Sequence, residues 1–215
     1  MIHVITGGYG SGKTETAINL ALAFNSRGAK TAIADLDIVN PYFRANDARE
    51  KLSRMGVKVV APDSANTNAD VPSLPAEIAS MFISYDEAVF DVGGDDQGAY
   101  ALGRYHDSFA KNEYNMYFCV NPYRPGCSDV QEIDETIRAI EHSSRLKITH
   151  LINNANLKRD TTAETVTRGI AFAQQASDKL SLPLAFTAVT REFLPLLPEG
   201  MPALELNLHL LLPWE

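Results

Sequence analysis

Eight residues near the start of the chain, Gly7-Gly8-Tyr9-Gly10-Ser11-Gly12-Lys13-Thr14, fit the pattern G-x-x-x-x-G-K-[ST]. Chemistry accounts for each fixed position. Glycines let the backbone turn several N–H groups inward toward phosphate oxygens, and a helix starting behind them adds its partial positive charge. A lysine placed as Lys13 is reaches the β- and γ-phosphates, and a hydroxyl placed as Thr14 is ligates Mg²⁺. Contacts to a nucleotide are therefore expected from Gly8, Tyr9, Gly10, Ser11, Gly12, Lys13 and Thr14, with Thr16 just inside the helix counted among them. The bland alternative is a glycine-rich turn that binds nothing.

A phosphate loop needs carboxylates for its metal and its water. Two apolar runs end in them: Ala34-Asp35-Leu36-Asp37 and Val89-Phe90-Asp91-Val92-Gly93-Gly94. In a parallel sheet, strand carboxyl ends face the crevice where ligands bind. Asp91 is placed to hold Mg²⁺ directly or through water, and Asp91-x-x-Gly94 matches a switch whose glycine N–H meets a γ-phosphate. Thr14, Asp37 and Asp91 are the metal candidates. Asp35 is equally consistent with helix capping or a solvated loop.

The elements that must carry these residues are legible from periodicity. Near-continuous apolar runs at Ile2–Thr6, Thr31–Asp35, Val57–Ala61, Ala88–Asp91, Met116–Asn121, Thr149–Asn153 and Ala185–Val189 predict strands covered on both faces. Between them, Thr14 to Ser26 predicts a helix stopped by Gly28. Ser128 with Gln131 and Thr161 with Glu164 predict capping boxes at two further helices. Strand and helix in alternation mean an α/β fold, a mainly parallel sheet with helices on both faces. The segment Pro62 to Pro75, rich in Ser, Asn, Asp and Pro, predicts a long loop inside one domain spanning 1–215.

Composition narrows the function classes. The chain has 215 residues, 45% hydrophobic, with a net charge of −8. Such a chain holds a proper core and has no bulk attraction for nucleic acid or an anionic membrane. Cys119 and Cys127 are the only cysteines, which suits a reduced intracellular protein. No targeting segment or membrane-spanning run is visible, so a cytoplasmic location is expected.

The order of Gly7–Thr14, Asp35-Leu36-Asp37, Asp91-Val92-Gly93-Gly94 and Leu151-Ile152-Asn153-Asn154 resembles the MinD/ParA class of P-loop ATPases. That class includes the arsenical-pump ATPases, the nitrogenase iron protein and Mrp-type cluster carriers. The resemblance implies an ATP- and Mg²⁺-dependent switch in which two subunits close over nucleotide and act on a protein partner. It also implies that Asp37 orients the attacking water, that Asp91 to Gln97 form the second switch, and that Asn153 touches adenine. An asparagine amide suits adenine's N6 and N7.

Three departures from the class stand out. Gly8 occupies the position of its second, trans-acting lysine. Glycine replaces the cluster-ligating cysteine after the second switch, so Cys119 reads as a core residue. Leu204-Glu205-Leu206-Asn207-Leu208-His209 alternates at period two and is acidic, unlike a basic membrane helix.

Other features are less specific. Lys51 to Lys58, Arg145-Leu146-Lys147 and Lys158-Arg159 read as solvated faces before DNA contacts. Arg104-Tyr105-His106 is placed to face the site or the solvent, and Arg44 or Arg104 to offset acidic repulsion in a dimer. Asn121-Pro122-Tyr123-Arg124-Pro125-Gly126 is a rigid turn or a docking loop on the ligand side of the sheet. The competing readings are a small-molecule kinase or ligase, a metal-insertion GTPase and a non-hydrolysing nucleotide sensor. Against the GTPase, the strand end reads Asn153-Asn154-Ala155-Asn156 where guanine readers carry N-K-x-D.

Overall fold

The computed structural model describes residues 1–37, 48–61, 77–94 and 96–210, with positions 96 and 97 described by backbone alone. Arg44, Asn40-Pro41, the segment Pro62–Pro75 and Asp95 lie outside the described residues, as do the side chains of Asp96 and Gln97.

Among the described residues, eight strands form one sheet, every adjacent pair parallel. In chain order they are β1 (Ile2–Thr6), β2 (Thr31–Asp35), β3 (Lys58–Val60), β4 (Glu87–Asp91), β5 (Tyr114–Val120), β6 (His150–Asn153), β7 (Leu184–Thr190) and β8 (Ala203–Leu206). The spatial order is β3-β2-β4-β1-β5-β6-β7-β8. Leaving β1, the chain passes over β4 to reach β2, while later strands add on the other side of β1. The reversal of direction at β1 opens a crevice at its carboxyl end, and the phosphate-loop motif lies there.

The strands carry apolar side chains on both faces because both faces are covered. On one face Val4, Ala34, Phe90 and Phe118 join a core with α3 (Glu77–Met81), α4 (Asp96–Gly103), α5 (His106–Phe109), α6 (Val130–Ser144) and α7 (Ala163–Leu180). On the other, Ile5, Ile33, Val89 and Ile152 pack on α1 (Lys13–Ser26) and α2 (Arg49–Arg54). Alternate residues of one strand thus enter opposite cores, which follows from the period of two. The first turns of α1 are buried from Lys13 through Ala21 except at Glu15. Ala17 and Ala21 let this helix approach β1 and β4 closely.

Seven of these strands match the sequence expectation within a few residues. The eighth, β8, does not: Ala203–Leu206 pairs with β7 as a parallel edge strand, turning Leu204 and Leu206 to the core and leaving Ala203 and Glu205 exposed. Its alternation was visible, but it argued only against a membrane helix. Two helix starts also shift by one residue. Asp129, not Ser128, caps α6 by accepting from the Glu132 N–H, and Ser128 instead donates its hydroxyl to the Glu132 carboxylate at 2.8 Å. Thr162 and Thr165 form the capping box of α7, while Thr161 donates to the Lys158 carbonyl.

After β8 the chain folds back onto α1. Asn19 exchanges two hydrogen bonds with the Asn207 backbone, both 2.9 Å. Glu15, one turn earlier, accepts the N–H groups of His209 and Leu210 at 2.7 and 2.8 Å. Burial pushes the Glu15 carboxyl above its ordinary range, and these two N–H groups partly offset that. No helix among the described residues is long and apolar enough to cross a membrane.

Candidate active site

β1 ends at Thr6 and the loop 7–12 turns the chain into α1. The N-terminus of that helix is capped by Gly12 at φ 86° with no side-chain hydrogen bond, and its first backbone bond runs from Thr16 N to Gly12 O at 3.0 Å. The early N–H groups are therefore left to a ligand and to the backbone of the loop itself. A side chain at Gly12 would strike the Asn154 amide, so glycine is required there by space as well as by φ. The backbone of Gly94 approaches equally close: a Cβ on it would collide with the Gly7 carbonyl. Gly94, three residues after Asp91, is thus seated against the phosphate loop.

Three carboxylates and one lysine meet beneath this loop. Lys13 Nζ lies 2.8 Å from Asp37 Oδ2, both side chains only 7% exposed. The Asp37 N–H donates to Asp35 Oδ1 at 3.2 Å, which fixes the turn that carries it out of β2. Asp91 is fully buried, and neither of its carboxylate oxygens has a hydrogen-bond partner among the described residues. Burial pushes the Asp91 carboxyl up to about 7; nearby Asp35 and Asp37 push it the same way, while Lys13 and the Thr14 hydroxyl oppose them. For Lys13, burial favours the neutral amine, yet the Asp91 and Asp37 charges outweigh it and raise the pKa.

The unpartnered Asp91 oxygens and the Thr14 hydroxyl beside them are hard oxygen donors suited to Mg²⁺. Among the described residues no group of three or more His, Cys, Asp or Glu could hold a metal ion. Mg²⁺ at a phosphate site commonly takes one or two protein ligands and completes its shell with water and phosphate.

Because the folded Asp91 holds its proton to about pH 7 while the unfolded side chain loses it near 3.8, the folded state binds more protons across that window. The Asp91 contribution to the stability of the ligand-free protein is therefore expected to fall as pH rises from about 4 to about 7, and to level off above. Thermal melts at pH 5 and pH 8 check this. Asp91→Asn should flatten the slope, and a variant with the wild-type slope would assign it to another group.

Other expected residues occupy varied positions. Gly8 and Ser11 are buried in the loop, and Ser11 Oγ lacks a partner among the described residues. Gly10 is exposed, and Tyr9 is 72% exposed. Thr16 is buried and its hydroxyl donates to the Gly12 carbonyl, beneath the loop. Asn153 is buried too: its amide donates to Thr187 Oγ1 at 3.4 Å and accepts from the Ala155 N–H at 3.2 Å. Cys119 is a core thiol, pushed up to about 12 by burial. Tyr105 stacks on Phe82, which lines a cavity with Met1 and Ile2 at the opposite end of β1. His106 pairs with Asp107.

Three further residues had been given no individual role by the sequence. Asn154, next to Asn153 and so on the opposite side of the strand end, donates to the Ser11 carbonyl at 2.7 Å and ties β6 to the phosphate loop. Arg124 lies along Gly10. Asp160 ends the short 3-10 turn Lys158–Asp160 beyond β6 and is the only carboxylate between Asn153 and Thr162. The spacing Lys158-x-Asp160 was the available signal for the last.

Sheet order, a helix start without a side-chain cap and the buried lysine–carboxylate cluster together define a P-loop nucleotide-binding domain. The chain belongs to the CobQ/CobB/MinD/ParA nucleotide-binding domain family, whose model matches residues 2–175. No curated protein sequence matches it significantly.

Among solved structures it is similar to FtsY from Thermotoga maritima, at 15% identity and a TM-score of 0.58, covering 87% of this chain and 61% of that one. Chloroplast FtsY from Physcomitrella patens gives 18% and 0.56, covering 86% and 57%. The signal recognition particle receptor FtsY from Elizabethkingia anophelis, in complex with GDP, gives 17% and 0.51, covering 87% and 56%. At these identities the likeness is one of fold, and this chain spans about three fifths of those proteins' length.

Proposed function

We propose that this protein is a Mg²⁺-dependent nucleoside triphosphatase, an ATP-driven switch that acts on a protein partner and closes as a homodimer. The observation that carries the reading is the Lys13–Asp37 ion pair at 2.8 Å beside an unpartnered Asp91. A triphosphate draws Lys13 away from Asp37 to its own β- and γ-oxygens. Asp37 is thereby released to accept a hydrogen bond from the attacking water. Asp91 and Thr14 would hold the Mg²⁺, which would neutralise charge on the phosphates. Gly94, pressed on Gly7, conveys the presence of the γ-phosphate to α4 and so to a docking surface.

Adenine is the favoured base. Asn153 has an amide of the right chemistry, although reading a base requires it to exchange its bonds to Thr187 and Ala155. A specific observation favours guanine as the second reading: Asp160 is exposed on the turn after β6, and a carboxylate there accepts guanine's N1–H and N2–H₂. Competition between ATP and GTP for the wild-type protein is expected to favour ATP, and Asp160→Asn to leave that preference unchanged. A GTP preference that Asp160→Asn abolishes assigns the base to Asp160 and moves the protein toward the metal-insertion GTPases.

A further inference from the structure

The loop between β5 and α6 closes over the phosphate loop from the side. It is held firmly: the Tyr123 N–H donates to Asn121 Oδ1 at 3.2 Å, the Arg124 N–H to the Asn121 carbonyl at 3.0 Å, and Tyr123 Oη to the Thr165 carbonyl at 3.1 Å. Asn121 itself donates to the Asn156 carbonyl at 3.2 Å, so the loop is tied to the end of β6 as well. Its backbone borders Gly8, where a Cβ would lie 3.4 Å from the Pro125 carbonyl oxygen, an ordinary van der Waals contact.

From this platform the Arg124 side chain runs along Gly10. Its Cδ, Nε and Cζ lie 3.5, 3.6 and 4.0 Å from where a Cβ on Gly10 would stand. Gly10 holds φ at 73° and is exposed, so the arginine borders the open side of the loop. The Nε is buried with no hydrogen-bond partner among the described residues. A desolvated guanidinium N–H without an acceptor is costly, and a phosphate oxygen is the acceptor its planar fork suits best.

The geometry points to Arg124 as a catalytic residue that contacts the terminal phosphates from within the same chain. This inference rests on the reading of the site as a triphosphatase. In the reaction the water oxygen bonds to the γ-phosphorus and the bond to the β–γ bridging oxygen breaks. The electron pair leaves on the nucleoside diphosphate, and the water proton departs with inorganic phosphate. Arg124 offsets the charge that grows on the bridging and γ-oxygens, where Gly8 supplies no cation. Lys13 binds the triphosphate from below the loop, and Arg124 binds it from the side.

The test uses the full chain with ATP and ADP as probes and compares wild type with Arg124→Gln, which keeps the aliphatic stem on Gly10, and with Arg124→Ala. Turnover is expected to fall on the order of 100- to 1,000-fold in both. ATP affinity should fall about tenfold and ADP affinity stay within about twofold, since the contact is to the terminal phosphates. Added guanidinium should restore part of the Arg124→Ala turnover, which a purely structural role would not allow. Wild-type turnover and an unchanged ATP/ADP affinity ratio in Arg124→Gln would overturn the assignment. So would an equal loss of ATP and ADP binding, which marks the arginine as a support for the loop. Wild-type protein that binds ATP but releases no phosphate defeats the triphosphatase reading separately, and the affinity ratio then decides whether Arg124 contacts the γ-phosphate.

Discussion

Lys13→Ala is expected to remove ATP binding by on the order of 100-fold or more, because each charge-assisted contact to phosphate is worth about 1.5–3 kcal/mol and this lysine makes more than one. The structure adds a second consequence. Lys13 pairs with Asp37 and favours the charged form of Asp91, so its loss leaves two buried carboxylates without their cation. Its raised pKa keeps Lys13 charged at every working pH, so its stabilising effect is present throughout and is lost only in strong alkali. The variant should therefore melt lower than wild type, and the deficit should be larger at pH 8, where Asp91 has lost its proton, than at pH 5. Titration calorimetry and melts at the two pH values read these effects independently. Retained ATP binding would remove the phosphate-loop reading altogether.

Asp37→Ala should behave in the opposite way toward binding. Its carboxylate holds the lysine that a triphosphate must recruit, so deleting it leaves ATP affinity unchanged or raises it. Turnover should fall on the order of 100- to 1,000-fold as the group that orients water is lost. Equal losses of Mg²⁺-dependent binding and turnover would reassign Asp37 to the metal. The same variant, loaded with ATP and unable to discharge it, is the species in which a nucleotide-closed homodimer should accumulate. Sedimentation with and without ATP and Mg²⁺ reads that directly, and a monomer under both conditions would exclude the dimer mechanism.

Much of this site was legible in the residues alone because its positioning is local. Gly7 to Thr14 carry their own geometry: the glycines, the strand before them and the helix after them are contiguous, and period and composition identify each. Asp91 was legible for the same reason, as a carboxylate ending a run of buried residues. What escaped were pairings that depend on which strands become neighbours. Asp37 lies in the turn just past β2, which is separated from β1 by β4, so nothing local shows that its carboxylate reaches Lys13. Arg124 sits in a loop whose sequence suits a plain turn, and only the placement of β5 beside β1 brings it to Gly10.

Parity explains the asparagines. Successive side chains at a strand end point to opposite sides, so a choice between Asn153 and Asn154 needs the register of β6, which neither residue type reveals. Adjacent cap-competent residues, Ser128 with Asp129 and Thr161 with Thr162, left helix starts uncertain by one position for a related reason. Strand β8 escaped because four residues on a sheet edge offer too few alternations to separate a strand from an extended tail.

The hydrogen bonds between α1 and the segment 207–210 join residues 188, 194 and 195 positions apart. Helix α1, which follows the phosphate-loop motif, therefore completes its contacts only with residues synthesised long after it. Until residues 207–210 arrive, the Glu15 carboxylate and the Asn19 amide wait for backbone partners, and most of the chain must be ordered before those contacts close. Such long-range closure slows folding. A nascent chain halted before residue 207 would hold a formed phosphate loop on an unfinished helix, so a triphosphate that binds this loop during synthesis would act as a folding ligand before it acts as a substrate.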